Sequence, residues 1–311
     1  MSEDADTYDR AFSSFLINYL DDGHTSIKLC SAFNEMDTVF ADGKYSYNDD
    51  QGILILTDNS RRYHDLRKEM MVEKYGYDEN DNMQGLFIDG ETAVVRFDSF
   101  ITNMLDDQLY IYTENSIPYL FDYSTNVGFD NCFYWIYTTH PEIKNVVIDL
   151  SCNGGGSVNA VPYVAAFFTG DPYFYNVDAL TGNAFEWHYE IDFNRDGTFN
   201  RNWDSFENYY NFYLLVSDVS ASSSNRLAAF AKNAGVKIIG KRDFGGGCGM
   251  VTYADACGFV FNASEARLCL YKDNDGNLVS SDHGVPVDYE LDPEYWYDFE
   301  KLNAFLASLN A

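Results

Sequence analysis

Three short stretches of this sequence hold residue types that could carry out nucleophilic chemistry together. The first is Ser217–Asn225 (SDVSASSSN), which follows an apolar run and precedes a helical pattern. A serine on such a strand-to-helix turn is presented sharply, and the next N–H stands free at a helix N-terminus to bind an oxyanion. Ser222 is the candidate nucleophile; alone, the stretch also reads as a serine-rich helix cap. The second, Asp149–Gly156 (DLSCNGGG), runs an acidic strand end into three contiguous glycines. Those glycines let backbone N–H groups approach a substrate oxygen closely, as an oxyanion hole requires. Alone the motif reads equally as a phosphate-binding or structural turn, although it lacks the Lys-Ser/Thr pair of a P-loop. The third is Asp21-Asp22-Gly23-His24-Thr25, where a histidine in a turn could serve as general base or sit as an exposed bystander. The chain has five histidines, His24, His64, His140, His188 and His283. A serine hydroxyl attacks only when a base takes its proton and donors receive the oxyanion. The fold must therefore bring Gly23–Thr25 beside Ser222, nearly 200 residues away.

The elements that would position these residues are most legible in the second half. Asn145–Leu150 is a short β-branched apolar run that breaks at the glycines, a buried strand followed by a tight turn. Ser157–Phe168 reads as a helix, Phe212–Val216 as a strand, Ser223–Asn233 as a helix and Val236–Gly240 as the next strand. This alternation predicts a parallel α/β unit with right-handed crossovers. Glu91–Phe100 alternates like a strand, and Asp107–Thr139 is aromatic-rich and partly helical. Between Asp171 and Tyr210 lies a Tyr-, Asn- and Asp-rich insertion, a hairpin or lid. Tyr8–Leu20 has helical spacing and delivers the Gly23-His24 turn. From Cys30 to Asn82 the pattern is mixed, with a strand expected at Ile53–Thr57 and a helix at Ser60–Lys74. The expected division is an N-terminal helical lobe over 1–85 carrying His24 and a catalytic domain over 86–311.

Composition bounds the function. At 311 residues, with 46% hydrophobic and 17% aromatic residues, the chain can bury a sizeable core. Its 49 acidic against 20 basic residues give a formal charge of −29, which repels phosphate backbones and anionic bilayers. Nucleic acid is excluded as a partner. No run of 18 apolar residues occurs, so membrane insertion is not expected, and the N-terminal residues lack a signal-peptide pattern. The six cysteines, Cys30, Cys132, Cys152, Cys248, Cys257 and Cys269, form no C-x-x-C pair, which removes zinc ribbons and thioredoxin motifs. Asp192–Asn200 follows the first half of a calcium loop, but its twelfth position is Trp203 in place of glutamate. A hairpin turn at Asp196-Gly197 is the better reading, as is one at Lys272–Asn277.

Taken in order, these stretches resemble the tail-specific, C-terminal-processing serine peptidase family, in the histidine-using branch that includes the tricorn core protease. The "D-G-H-T" element appears as Asp22-Gly23-His24-Thr25, the "I-D-x-R-x-N-G-G-G" element as Ile148–Gly156, and the "T-x-S-x-x-E" element as Ser220–Asn225. Ile238-Ile239-Gly240, Phe244–Gly247 and Gly284–Asp288 ("G-V-x-P-D") continue the likeness, which covers about Glu91–Ala311 plus the His24 element. The resemblance implies a mixed sheet with βαβ crossovers and flanking helices, related to the crotonase and Clp protease spiral. It implies Ser222 as nucleophile and His24 as base. Gly155 and Ser223 N–H would be the oxyanion donors, with Gly154, Gly156, Gly245 and Gly246 against the substrate. The family's alternative lysine base belongs in "T-F-G-K-G", here Asp243–Gly247 without lysine; Lys241 lies two residues before.

The departures are Asn225 for the family's glutamate, Ser151 for its arginine, Gly23 before the histidine, and Ser281 where a supporting glutamate stands, with Asp282 a shifted substitute. No segment matches the family's PDZ module. The implied activity is peptide-bond hydrolysis through an acyl-enzyme on Ser222, without metal or organic cofactor, on peptide or protein substrates. Family habit implies export to the envelope or outside the cell. Asn225 and Ser281 leave open a catalytically silent relative that binds peptide or a protein partner. The aromatic stretches Asp130–Tyr137 and Trp187–Tyr189 leave open carbohydrate binding.

Overall fold

A computed structural model describes residues 7–8, 11–12, 15, 26–29, 51–77, 85–102, 124–192, 198–200, 205–254 and 260–309. Its strands, in chain order, are β1 Ser26–Leu29, β2 Gly85–Asp89, β3 Thr92–Arg96, β4 Asn145–Asp149, β5 Tyr173–Asp178, β6 Ala184–His188, β7 Asn211–Val216, β8 Lys237–Gly240, β9 Met250–Ala254, β10 Val260–Ser264, β11 Arg267–Lys272, β12 Leu278–Ser280 and β13 Tyr289–Glu290. The helices are α1 Gln51–Glu69, α2 Thr125–Thr139, α3 Val161–Phe168, α4 Ser223–Ala234, α5 Pro293–Trp296 and α6 Phe299–Leu309.

The centre is a six-stranded sheet in the order β13-β8-β7-β4-β3-β2. Every pairing in it is parallel except β2 with β3. Parallel strands are covered on both faces and so read as unbroken apolar runs. Alternate side chains part to opposite faces. Val146 and Ile148 of β4, with Phe212, Leu214 and Val216 of β7, join one core against α2, α3 and α4. Val147, Tyr213 and Leu215 join the other, with Tyr63 of α1 and Trp296, Leu302 and Leu306 of the C-terminal helices. This is a mixed α/β fold with helices flanking both sheet faces, as the sequence predicted.

One sequence expectation takes a different local form. Ile53–Thr57 is not a strand: its backbone belongs to α1. A short apolar run does not distinguish strand from buried helix by periodicity, and the amphipathic continuation decides it. Tyr63 and Met71 of that continuation are fully buried against the sheet. The insertion after Asp171 begins as a hairpin, one of the two forms expected: β5 and β6 pair antiparallel, and β5 also pairs with β11 in a four-stranded sheet. Beyond it, Ile191 bridges Asn200 in antiparallel fashion, while the expected turn at Asp196-Gly197 lies outside the described residues.

Candidate active site

The parallel strands β4, β7 and β8 release their chains at the same sheet edge, where ligands of open α/β sheets bind. There the loops after Asp149, Val216 and Gly240 are tied into one unit. β7 ends at Val216, and after a six-residue turn α4 begins at Ser223. Ser222 sits at the junction with φ 56° and ψ −113°, the sole non-glycine with positive φ among the described residues. That backbone region is costly for a residue with a Cβ and persists only where the surroundings enforce it.

The enforcing contacts come from the neighbouring serines. Ser217 Oγ donates to Ser151 O at 2.6 Å, and Ser220 Oγ donates to Leu150 O at 2.6 Å. Ser223 Oγ donates to Gly156 O at 2.8 Å, and Ser224 Oγ bonds Asn153 O and Oδ1 at 2.9 and 2.8 Å. The serine run thus staples the nucleophile turn to the glycine turn. Ser222 occupies the helix-cap position, but its side chain makes no capping hydrogen bond. The helix-cap reading therefore does not describe how Ser222 is used. Its own N–H donates to Gly245 O at 2.9 Å, which fixes it against the third loop.

Asn153 is the hub of this unit, and sequence reasoning noted it only as one letter of a motif. It is fully buried. Its Nδ2 donates to Phe97 O at 2.9 Å, its Oδ1 accepts the Gly155 N–H at 2.8 Å, and its carbonyl accepts Ala221 N–H at 3.3 Å. Gly155 has φ 108°, and a Cβ there would lie 2.7 Å from Ser222 Cβ and 2.8 Å from Ala221 O. Only glycine permits this approach. Of the two expected oxyanion donors, Gly155 N–H is thus turned to Asn153 in this structure. Ser223 N–H is the first of α4 and has no acceptor within its helix. Gly154 is exposed, and Gly156 bridges Phe100 on the far side of the turn.

Gly245 and Gly246 line up beside Ser222 through the Ala221–Gly245 bridge. Gly246 N–H donates to Asp282 O at 3.0 Å, and a Cβ on Gly245 would meet that same oxygen at 2.0 Å. This brings the Asp282 backbone next to the nucleophile loop. Asp282 is half-buried, and its Oδ1 has no hydrogen-bond partner among the described residues.

The two departures, Asn225 and Ser281, are in contact. Ser281 Oγ donates to Asn225 Oδ1 at 2.8 Å, and Asn225 Nδ2 donates to Asp243 Oδ1 at 2.8 Å and to Ser281 O at 2.9 Å. Burial pushes the Asp243 carboxyl up to about 7, against the hydrogen bonds from Asn225 and Val285 N–H that pull it down. A neutral amide and a hydroxyl thus fill the buried space beneath α4 as a matched pair.

His24 lies outside the described residues. The described segment that follows it, β1, pairs with β10, with Ser26 opposite Asn262. Of the other histidines, His140 bonds Glu142, His188 bonds Asp171 and Glu186, and His64 bonds Arg67 on α1. Lys241, half-buried, places its ammonium 6.0 Å from the ring centre of Tyr63, a core residue on the α1 face.

The model of peptidase family S41 matches residues 120–291, more than half of the chain, and the chain belongs to that family. Its fold is similar to that of a protein of Parabacteroides merdae described as a candidate peptidase, at TM-score 0.49 and 16% identity over 78% of this chain and 70% of the other. It is also similar to the photosystem II D1 C-terminal processing protease, at 0.45 and 21% identity over 68% of this chain and 45% of that protease. A lipoprotein of Streptococcus agalactiae aligns over 99% of this chain and 98% of its own, at 0.48 and 12% identity. A search of the curated proteins finds no match.

Proposed function

We propose that this chain is a serine endopeptidase acting through an acyl-enzyme on Ser222. The observation that carries the reading is the enforced backbone of Ser222, a strained residue at a strand-to-helix junction pressed on a glycine that admits no Cβ. Structures store such strain at functional sites, where the geometry is part of the mechanism.

In this reading His24 takes the Ser222 hydroxyl proton as Oγ attacks the peptide carbonyl, and returns it to the leaving amine. The pairing of β1 with β10 supports His24, because β10 pairs in turn with β9, which follows the loop whose Gly245 carbonyl holds the Ser222 N–H. Ser223 N–H receives the oxyanion at the helix N-terminus, joined by Gly155 N–H once substrate draws it from Asn153. Asp282, with one unpaired carboxylate oxygen near the nucleophile loop, orients the imidazole. Water then hydrolyses the ester with His24 as base.

The test is hydrolysis of labelled casein by the wild type and by Ser222→Ala, His24→Ala and Lys241→Ala. Loss in the first two with retention in the third supports the assignment. Full activity in Ser222→Ala would refute it. A second reading, a silent relative that binds peptide, draws on the Asn225–Ser281–Asp243 network, which spends both departing side chains on each other.

A further inference from the structure

A cavity of about 520 Å³ has Arg226 of α4 in its wall. Arg226 follows Ser222 by four residues, and its N–H donates to Ser222 O at 2.9 Å, so it lies one helical turn below the nucleophile. The side chain is buried, with 6% of its surface exposed. A guanidinium carries five N–H donors and stays ionised. Here one of them, on Nη2, meets Asn176 Oδ1 at 3.2 Å, and the Phe174 ring covers one face at 5.2 Å. Nε has no partner, and no carboxylate of the described residues pairs with the group. A buried cation without a counter-charge is costly unless something else supplies the charge.

The remaining wall fits an organic group with a polar end. Trp187, Tyr189 and Pro162 provide apolar surface, and Asn126 Oδ1 is a second buried polar atom without a partner. Two carboxylates border the cavity. Glu265 is taken up by Arg267, whose guanidinium also covers the Trp187 ring, and Glu190 is exposed at the rim. The overall charge of −29 opposes an anionic ligand at long range, but salt screens it beyond about 8 Å at physiological ionic strength, whereas a contact ion pair in a cavity is screened much less.

We propose that this cavity is a specificity subsite for a carboxylate-bearing residue of the substrate, with Arg226 as the positioning cation. The inference deepens the peptidase reading and rests on it for the word substrate, but binding at the subsite does not depend on catalysis. The carboxylate belongs either to an acidic side chain or to a free peptide C-terminus, and both present the same planar pair of oxygens to a guanidinium.

The experiment is calorimetric titration of full-length Ser222→Ala, which holds peptide without turnover. The probes are acetylated, amidated alanine hexapeptides with one glutamate or one glutamine, and the all-alanine peptide with a free or an amidated end. At least tenfold tighter binding of glutamate over glutamine supports an acidic side chain, and the same preference for the free end supports a C-terminal carboxylate. In Arg226→Met the preference should fall to within twofold, whereas Arg267→Met should retain it. Equal binding of acid and amide forms, no binding of any peptide, or a preference that survives Arg226→Met overturns the proposal. The acid-against-amide contrast stands even if Arg226→Met fails to fold. Casein hydrolysis by the wild type without any acid preference would sink this inference and leave the peptidase reading intact; acid-selective binding without hydrolysis would do the reverse.

Discussion

Arg96 and Arg226 are buried to a similar degree, at 0% and 6% exposure, yet they are housed differently. Arg96, at the end of β3, donates from Nε to Asp149 at 2.6 Å and lies between the Phe87 and Tyr297 rings, at 4.8 and 5.1 Å. Nearby, Arg67 of α1 grips Asp98 with two hydrogen bonds of 2.6 Å. Each structural arginine on the α1 face comes with its own carboxylate. Arg226, on the opposite face and at the wall of a cavity, has an amide oxygen and a ring. Arg96 Nη1 and Nη2, like Arg226 Nε, are buried without a hydrogen-bond partner, so the difference is the counter-charge: Asp149 supplies one to Arg96, and no carboxylate among the described residues supplies one to Arg226.

The contrast can be broken first at the paired site. Asp149→Ala leaves Arg96 buried without its carboxylate and should cost about 3–5 kcal/mol, read as the loss of unfolding free energy in urea. A loss below 1 kcal/mol would mean that the rings alone hold the guanidinium. Next comes the strain at Ser222. Ser222→Gly relaxes a φ of 56° that glycine adopts freely, and should raise stability by about 1 kcal/mol after the extra entropy of the unfolded chain, while abolishing any hydrolysis. An unchanged or lower melting temperature would count against stored strain.

The pH dependence is a third probe. Asp243 titrates near 7 when folded and near 3.8 when unfolded, so the folded state binds the extra proton between those values. Its contribution is therefore full below about pH 4 and is lost as pH rises towards 7. Asp130, held up to about 7 by burial, acts in the same direction. In Asp243→Asn the fall in melting temperature over that interval should become shallower, and an unaltered slope would place the titration elsewhere. The smallest effect is expected at Arg226→Met, which removes an unpaired charge and should leave stability within about 0.5 kcal/mol or raise it. A loss of several kcal/mol would show that Arg226 is as structural as Arg96.

Much of this was legible in the sequence because buried parallel strands write themselves as apolar runs. Asn145–Leu150 and Phe212–Val216 are strands in place, and Ser223–Asn233 is a helix within a residue of its bounds. The glycine and serine turns were legible because close backbone approach demands those residue types. The Ile53–Thr57 segment was not, since its apolar run has no period of its own and takes its form from the helix that continues it. Asn153 was hidden because its role lies in contacts spread over three loops. Arg226 looks like an ordinary polar position of an amphipathic helix. The available signal was its place one residue before buried Leu227 and four before buried Phe230. The coupling of Asn225 to Ser281 spans 56 residues and needs the fold to be seen.

The central claim is that Ser222 is an activated nucleophile, and covalent labelling with a fluorophosphonate probe tests it most directly. The account predicts that the folded wild-type protein is labelled on the peptide containing Ser222, that Ser222→Ala is not labelled, and that His24→Ala is labelled at least a hundredfold more slowly. Absence of labelling in folded wild-type protein, or labelling that persists in Ser222→Ala, would contradict it.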